Sequence, residues 1–525
     1  MQIRKIALAE TRSFSSFFLD YIQQKKTLQK FYHRFPSIDQ FKDQISEKSK
    51  AFTDENRNIL ADVLQKQYHD LKPNDLVSQN INLLRDKKTF TVTTGHQLNI
   101  FTGPLYFIFK IITVINTCKK LKEAYPDYNF VPVYWMASED HDYDEIKYFK
   151  LYGKKYTWET DQQGAVGKFD TNGLTKLIEQ VPGDTKVFKN AYSKYKKLSD
   201  AVRSYVNELF EKEGLVVVDA DHRSLKNLFK AVIKDDLVKH TAKSIVDKTD
   251  KELNDLGYKT QVHCRDINFF YLDNNLRGRI EKQDDSYQVV DTSIKFTSDQ
   301  IDTLIENEPE KFSPNVILRP LYQEIILPNI AYVGGPAEVI YWLQLKEVFN
   351  HYQTPFPILM PRNFGMVMDH TMVRKFEKTK LELKDLFEEK NYLFNHWVIK
   401  NTQNNLTVGV ERNTIQDIFQ KLKERSGVID PTLAPYVGAE GKRAMNSIEK
   451  IEQKLLRAEK RLHSDKLRQI EDLKNTLFPG GSLQERTDNF LNFYQQDSTF
   501  IEKLLNSFDP LDFQFNILLS EEKND

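Results

Sequence analysis

The apolar side chains of residues 1–85 recur at roughly helical spacing. The segment FSSFFLDYIQQKKTLQKFY is typical, because its apolar residues lie among Gln and Lys and few turn-forming residues occur before Pro73. This pattern predicts a helical N-terminal region that precedes the first strand of the fold.

From Thr89 onward, short β-branched or aromatic runs alternate with longer helical ones. TFTVTT, a helix from Pro104 to about Glu123, and FVPVYW predict a βαβ unit. GLVVVDAD and FPILMPR read as two more buried strands. The fold class predicted is α/β, with a Rossmann-like, mostly parallel sheet as its core. Strand-like runs without intervening helices predict an inserted antiparallel region near residues 250–315.

The apolar positions change spacing after Asp369, where they step alternately by three and four residues in two segments. These positions are Phe376, Thr379, Leu383 and Leu386 in the segment from Val373, and Ile451, Leu455, Ala458 and Leu462 in the segment from Ile448. Charged residues fill the other faces, so the pattern predicts a long antiparallel α-helical coiled coil. We expect its second helix over about 441–477, ended by LFPGGS.

These patterns divide the chain into three parts. Residues 1–369 form the predicted Rossmann-like core, with its helical N-terminal region and its inserted region. Residues 370–505 form the helical coiled-coil domain. In residues 506–525, the alternating run PLDFQFNILLS predicts an edge strand that returns to the core.

Charge, cysteine content and the distribution of apolar residues limit which partners and which cellular location the sequence predicts. Lys plus Arg and Asp plus Glu both number 75, and the pI is near 7.2, whereas proteins that grip a nucleic-acid backbone usually carry a basic excess. Two cysteines are too few for a disulfide framework. The N-terminus lacks an apolar signal core, and Lys110 interrupts the most apolar stretch. We therefore expect a cytoplasmic protein that binds neither nucleic acid nor membrane.

The strongest candidate site is the loop in TTGHQLNIFTGPLY, between the first predicted strand and its helix. Ligands bind beyond the carboxyl ends of parallel strands, and a helix start favours anions. The alternative is that Gly95 and His96 only form a tight turn. Several polar or small residues in one short loop favour a binding site, with His96 as a catalytic candidate and the others as substrate- or nucleotide-binding candidates: Thr94, Gly95, Gln97, Thr102 and Gly103.

A second candidate follows the next predicted strand, in VPVYWMASEDHDYDEI. Its clustered carboxylates repel one another unless a cation or a raised pKa relieves the charge. A solvated acidic loop is the alternative. A divalent metal ion is a further alternative, which is less favoured because the segment offers one His and lacks the order of an EF-hand. The cluster could bind an ammonium group or deprotonate an amine, with Asp140 and His141 as catalytic candidates and Glu139 and Asp142 as binding candidates.

Two further segments have the composition of binding loops. SPNVILRPLYQEIILPNIAYVGGPAEVIYW carries a Gly-Gly-Pro turn at a helix start, and an Arg follows the FPILMP run. Helix capping explains the turn equally well. The candidates in these segments are Arg319, Gly334, Gly335, Glu338 and Arg362. Neither Cys118 nor Cys264 is expected to be a nucleophile, because neither has a His at suitable spacing.

Four stretches carry a family resemblance: TGHQLNIFTGPLYFIFK, VPVYWMASEDHDYDEI, VILRPLYQEIILPNIAYVGGPAEVIYWLQLK and LFPGGSLQERTDNF. In this order, they resemble the hallmark segments of the bacillithiol biosynthesis cysteine-adding enzymes. The resemblance implies a Rossmann-like core, a coiled coil that forms a homodimer, and a ligase reaction. That reaction joins the carboxylate of cysteine to the amine of glucosaminyl malate.

The implied reaction assigns roles to the candidates. A carboxylate acylates an amine only when activated, so the resemblance implies ATP or a comparable activator. Use of ATP or ADP, with or without Mg²⁺, stays open, because the sequence lacks the lysine-serine loop of the adenylate-forming synthetases. His96 would stabilise the activated acyl group, and Asp140 or His141 would deprotonate the amine. The malate carboxylates would bind Arg319, Arg362 or Lys110.

Two other functions are also compatible with the sequence. One is a nucleotidyl-transferring enzyme with a different acceptor, which pyrophosphate release without cysteine would favour. The other is a non-catalytic nucleotide-binding protein whose coiled coil recruits a partner. A truncation lacking residues 371–505 would then lose the partner and keep the ligand.

Overall fold

The computed structural model describes residues 2–520. Its strands are β1 (Gln2–Ala7), β2 (Thr89–His96), β3 (Asn129–Met136), β4 (Tyr148–Leu151), β5 (Lys154–Thr157), β6 (Val216–Asp219), β7 (Phe269–Asp273), β8 (Leu276–Gln283), β9 (Ser286–Val289), β10 (Lys295–Thr297), β11 (Phe312–Pro314), β12 (Asn329–Gly334), β13 (Ile358–Pro361), β14 (Phe364–Met368) and β15 (Gln514–Leu519).

The α-helices are α1 (Ser16–Ile22), α2 (Ile38–Ala51), α3 (Asp54–Gln67), α4 (Asp75–Leu83), α5 (Tyr106–Ala124), α6 (Tyr143–Ile146), α7 (Leu174–Ile178), α8 (Lys186–Lys194), α9 (Leu198–Phe210), α10 (Arg223–Asn227), α11 (Lys230–Lys239), α12 (Thr241–Asp255), α13 (Ser298–Asn307), α14 (Arg319–Ile326), α15 (Pro336–Trp342), α16 (Lys346–His351), α17 (His370–Thr379), α18 (Lys390–Asn401), α19 (Gly409–Ile429), α20 (Leu433–Leu462), α21 (Ser464–Leu477), α22 (Gln484–Thr487), α23 (Leu491–Tyr494) and α24 (Phe500–Ser507). Within this range, no helix is long and apolar enough to cross a membrane.

A five-stranded parallel sheet forms the centre of the core, in the order β13-β12-β2-β3-β6. β2, the first strand of this sheet in chain order, therefore lies in its middle, which is the order of a Rossmann-like sheet. All eight residues of β2 are buried, as expected for a parallel strand covered on both faces. The predicted α/β fold is confirmed. The strand order reverses between β2 and β12, so a ligand cleft is expected above these two strands.

The antiparallel strands predicted near residues 250–315 are present as the sheet β10-β9-β8-β7-β11. Its strands span residues 269–314, between α12 and α14. Short turns such as Asp273 to Leu276 join β7 through β10 as local hairpins, whereas β11 follows α13 and returns to pair with β7. This inserted sheet carries Arg277 on β8 towards the core.

The antiparallel helix pair of the C-terminal part consists of α19 and α20. The predicted first helix from Val373 is wrong beyond Thr379, because Lys380 adopts a φ of 58° and ends α17. Trp397 caps this break by donating a hydrogen bond to the carbonyl of Thr379 at 2.7 Å. Leu386, predicted to lie in the coiled-coil seam, is buried in the core instead. The second helix begins at Leu433, earlier than predicted, and breaks after Leu462.

A separate three-stranded sheet joins distant parts of the chain in the order β1-β15-β14. β15 pairs antiparallel with β1 and parallel with β14. The prediction of an edge strand is therefore wrong, since β15 is the central strand. The N-terminal region also differs from the prediction, because it begins with a strand before its helices. β1 is a strand because its backbone groups pair with β15 over six residues, which its sequence alone does not reveal.

Candidate active site

A cleft of about 410 Å³ lies over the carboxyl ends of β2, β3 and β12. The core contributes Gly95, Trp135 and Gly335 to its wall, and the inserted sheet contributes Arg277. Arg486 of α22 closes a third side. The cleft thus occupies the point where the strand order reverses, as expected for a ligand site in an open parallel sheet.

His96, the last residue of β2, lies inside this cleft with 8% of its surface exposed. Its ring packs against Tyr106 and Phe107, with centroid distances of 5.4 and 5.0 Å. Burial, together with the charges of Lys110 and Arg362, holds the pKa of His96 well below its ordinary value. Nε2 has no hydrogen-bond partner within residues 2–520. A neutral imidazole whose Nε2 is buried and unpartnered therefore lies in the wall of the cleft.

The carboxylate of Asp140, in the loop after β3, lines the cleft. It accepts hydrogen bonds from Gln97 Nε2 at 2.5 Å and from Arg277 Nη1 at 3.2 Å. Burial raises its pKa, but the contacts with His141, the charge of Arg277 and the bond from Gln97 outweigh burial, so the pKa of Asp140 lies below its ordinary value. Asp140 is therefore a stable carboxylate and a weak base.

His141 lies beside Asp140 and is half-exposed, outside the wall of the cleft. Its Nδ1 is 2.7 Å from Arg277 Nη1. A guanidinium only donates hydrogen bonds, so Nδ1 accepts this one, and a neutral ring then carries its proton on Nε2. Nδ1 of His141 is therefore engaged by Arg277, and the ring lies outside the cleft wall.

Asp140→Asn is expected to lower the free energy of unfolding at neutral pH. The folded pKa lies below the ordinary value of 3.8, so the ionised carboxylate stabilises the fold above that pH, and this contribution is lost as the pH falls towards the folded pKa. Urea unfolding should therefore give a constant difference between the two proteins from pH 8 to pH 5 and a smaller one below about pH 4. Asp142→Asn is the control, because Asn also caps helices. A difference independent of pH down to pH 2 would contradict this linkage.

The other carboxylates of the segment have separate partners. Glu139 is partly buried and pairs with the fully buried Lys226 Nζ at 2.6 Å, while Asp142 caps α6 by accepting a hydrogen bond from the N–H of Glu145 at 3.2 Å. Glu145 lines the cleft, and burial followed by the charges of Asp142 and Asp140 raises the pKa of its carboxyl. Within residues 2–520, no group of three or more His, Cys, Asp or Glu side chains is placed to share a metal ion.

Lys110 and Glu338 form an ion pair in the wall of the cleft, in which Lys110 is buried and Glu338 is partly exposed. Lys110 Nζ lies 2.5 Å from Glu338 Oε2 and donates to the carbonyl of Gly95 at 2.8 Å. Glu338 also accepts bonds from the N–H of Gly335 and the hydroxyl of Tyr332, each at 2.7 Å. Burial opposes ionisation, but Lys110 and these donors hold the pKa of Glu338 below its ordinary value. The pair ties β2 to the start of α15 across the switch point.

Two arginines also line the cleft. Arg319 lies over the rings of Trp135 and Tyr332 at 5.8 and 5.7 Å, and its Nη2 has no partner among the described residues. Arg362 forms a bidentate ion pair with Glu485 of α22, with N–O distances of 2.6 and 3.0 Å. Arg362 is thus neutralised within the protein, whereas Arg319 keeps an uncompensated charge.

Most of the predicted site residues meet in this cleft. Those that line it are Gly95, His96, Gln97, Glu139, Asp140, Arg319, Gly335, Glu338 and Arg362. Those outside its wall are Thr94, Thr102, Gly103, His141, Asp142 and Gly334. Thr94, for example, donates its hydroxyl hydrogen bond to the carbonyl of Val333 at 2.7 Å and so ties β2 to β12.

The start of α5, predicted as an anion site, is occupied by the protein itself. The N–H of Leu105 donates to the carbonyl of Asp488 at 2.7 Å, so the first turn of the helix faces the segment after α22. Sequence reasoning also missed Arg277, Lys226, Glu485 and Arg486. Glu485 and Arg486 lie in the LFPGGSLQERTDNF stretch, but Arg277 and Lys226 stand in no motif.

The fold and the cleft define a Rossmann-like α/β protein that has a cleft of small-molecule size above its parallel sheet and carries a C-terminal helix pair. The family description "Bacillithiol biosynthesis BshC, N-terminal Rossmann-like domain" matches residues 1–363, and the C-terminal coiled-coil domain of the same family matches residues 365–520. The chain therefore belongs to the bacillithiol biosynthesis BshC family, and the resemblance seen in the sequence is confirmed.

Curated relatives match over almost the whole chain and are named "Putative cysteine ligase BshC". The protein of Flavobacterium johnsoniae is 42% identical over 516 residues, which cover 96% of this chain and 97% of the relative. That of Flavobacterium psychrophilum is 40% identical over 525 residues, covering 98% of each. That of Cytophaga hutchinsonii is 40% identical over 519 residues, covering 99% of each.

Proposed function

We propose that this protein is a ligase that joins the carboxylate of L-cysteine to the amine of glucosaminyl malate, with activation by ATP or a comparable cosubstrate. The observation that carries the proposal is that carboxylates and guanidiniums line the same cleft. Asp140 and Glu145 lie in its wall together with the neutral His96 and with Arg319, which has no carboxylate within ion-pair distance among the described residues. Such a cleft suits a substrate that carries amines and carboxylates together.

The carboxylates that line the cleft can have two roles towards the amine groups of the substrates. Asp140 stays ionised, so it suits binding and orienting an ammonium group. An amine must lose its proton before it attacks, and a base with a raised pKa removes a proton more effectively. Glu145 has a raised pKa and lines the cleft, so we assign it this step in place of Asp140 or His141.

His96 suits stabilisation of the acyl group. The carbonyl oxygen gains negative charge as the amine attacks, and a neutral ring nitrogen that is fixed in a buried site donates a hydrogen bond to it without reorganisation. The packing of the imidazole against Tyr106 and Phe107 fixes its position. We propose that the protein is a cytoplasmic homodimer formed through α19 and α20, as the family resemblance implies.

The test is mass-spectrometric detection of a cysteine-dependent amide when the purified protein meets glucosaminyl malate, with and without ATP and magnesium. Product formed only with ATP would support the ligase and its activation. Pyrophosphate release in the absence of cysteine would favour nucleotidyl transfer to another acceptor. No product under any of these conditions would contradict the proposal.

A further inference from the structure

The residues after the coiled-coil region return to the cleft and are held there by many hydrogen bonds. We call residues 484–489 the return segment. Gln484 bonds both backbone groups of Val367, at 2.7 and 3.1 Å. At the other end, Asn489 Nδ2 donates to the carbonyls of Phe101 and Gly103 at 2.7 and 2.6 Å. The backbone of the segment is therefore fixed on both sides of Arg486.

Arg486 itself is not used in this anchoring. Its side chain lines the mouth of the cleft and is exposed, and it has no hydrogen-bond or ion-pair partner in the described part of the chain. Its neighbour Glu485 is fully buried and engaged with Arg362 and with the N–H of Gly365 at 3.0 Å. A fixed backbone with one free guanidinium that faces a cleft is an arrangement suited to a ligand.

Some of the cations that line the cleft near β12 have a carboxylate partner, and others do not. Among the described residues, these cations are Lys110, Arg319, Arg362 and Arg486. Lys110 is neutralised by Glu338, and Arg362 by Glu485. Arg319 and Arg486 have no carboxylate within ion-pair distance in residues 2–520. Two uncompensated guanidiniums in one cleft match two carboxylates on one ligand, since each carboxylate accepts a charge-assisted bond from a guanidinium.

We infer that Arg486, with Arg319, binds the two carboxylates of a dicarboxylate group, and that Arg362 serves to anchor the return segment instead of holding the substrate. This inference rests on the proposed function for the identity of the group, the malate half of glucosaminyl malate. It makes the C-terminal domain a direct contributor to substrate recognition. Arg486 is then a specificity residue, because a substrate with one carboxylate gains nothing from it.

The test measures binding of L-malate and of L-lactate, which lacks one carboxylate, to the full-length protein by calorimetry. Arg486→Gln is expected to weaken malate binding about ten- to hundredfold, the loss typical of a charge-assisted bond. The preference for malate over lactate should fall with it, and Arg486→Lys should keep part of the affinity. Arg4→Gln, on the exposed face of β1, is the matched control and should bind as the unmodified protein does. Unchanged malate binding in Arg486→Gln, or an equal loss for both acids, would overturn the inference.

The two proposals fail separately. If the unmodified protein forms the cysteine amide but Arg486→Gln has the same KM for glucosaminyl malate, only the role of Arg486 is wrong. If no amide forms but malate binds and Arg486→Gln weakens that binding, the dicarboxylate site stands and the ligase proposal fails. An unmodified protein that does not bind malate would overturn the dicarboxylate site.

Discussion

Glu485→Gln is expected to destabilise the folded protein by about 3–5 kcal/mol, the usual cost of leaving one partner of a buried ion pair without its counter-charge. The side chains of Arg362 and Glu485 are 2% and 0% exposed, so water does not replace the lost carboxylate. Urea unfolding followed by circular dichroism measures the loss. The control is Glu471→Gln, because the pair of Glu471 with Lys390 is 38% and 43% exposed and should contribute at most about 1 kcal/mol.

The double variant Arg362→Met, Glu485→Leu separates stability from function. Replacing both partners with apolar residues removes the unpaired charge, so much of the lost stability should return. Activity should not return with it, because the bidentate pair also fixes the geometry around Gly365 and the return segment. Equal losses of stability for Glu471→Gln and Glu485→Gln, or a double variant less stable than Glu485→Gln, would show that the buried pair does not have this role.

His96→Ala is expected to lower kcat/KM for amide formation about 10²- to 10³-fold, the range found when one donor to a developing negative charge is removed. Burial and the adjacent cations keep the imidazole neutral, so the effect should be nearly constant between pH 6 and pH 8. Initial rates from mass spectrometry measure it. His96→Gln should retain more activity than His96→Ala, since an amide also donates a hydrogen bond.

His370 provides the matched control for this experiment. It is exposed at the start of α17 and has no part in the cleft, so His370→Ala should leave kcat/KM unchanged. A His96→Ala protein with normal kcat/KM would exclude a role in acyl stabilisation. A rate ratio that changes through a pKa near 6.5 would show instead that the imidazole is protonated in the working enzyme.

The central sheet was predictable because its strands are buried on both faces. Continuous apolar or β-branched runs such as TFTVTT and FVPVYW have few other stable structures in a protein of this composition. The break at Lys380 was not predictable in the same way. Leu383 and Leu386 satisfy a coiled-coil seam and a core equally well, and only contacts with distant residues, such as that of the adjacent Phe387 with Phe478, decide between the two. The same holds for β15, whose alternation does not show how many neighbours it has.

The site was predicted where residues close in the sequence also lie close in space. His96 ends β2 and Asp140 lies in the loop that follows the neighbouring parallel strand β3, so their proximity followed from the predicted topology. Arg277 reaches Asp140 across 137 positions of the chain, and no local pattern distinguishes it from a surface arginine. The bond between Arg362 and Glu485 spans 123 positions in the same way. These distant partners determine the chemistry of the site, because they neutralise some of its charged side chains and leave others to bind a ligand.

The sheet formed by β1, β15 and β14 has a consequence for how the chain is made. The side chains of Lys5 and Asp512 meet across 507 positions, so β1 leaves the ribosome long before its partner strand exists. Domains generally fold as they emerge, and pairing over such a separation is slow. The parallel sheet can therefore assemble first, and the return segment can reach the cleft only after the coiled-coil region has been made. A nascent chain would acquire its complete binding cleft in a step that follows formation of the parallel sheet.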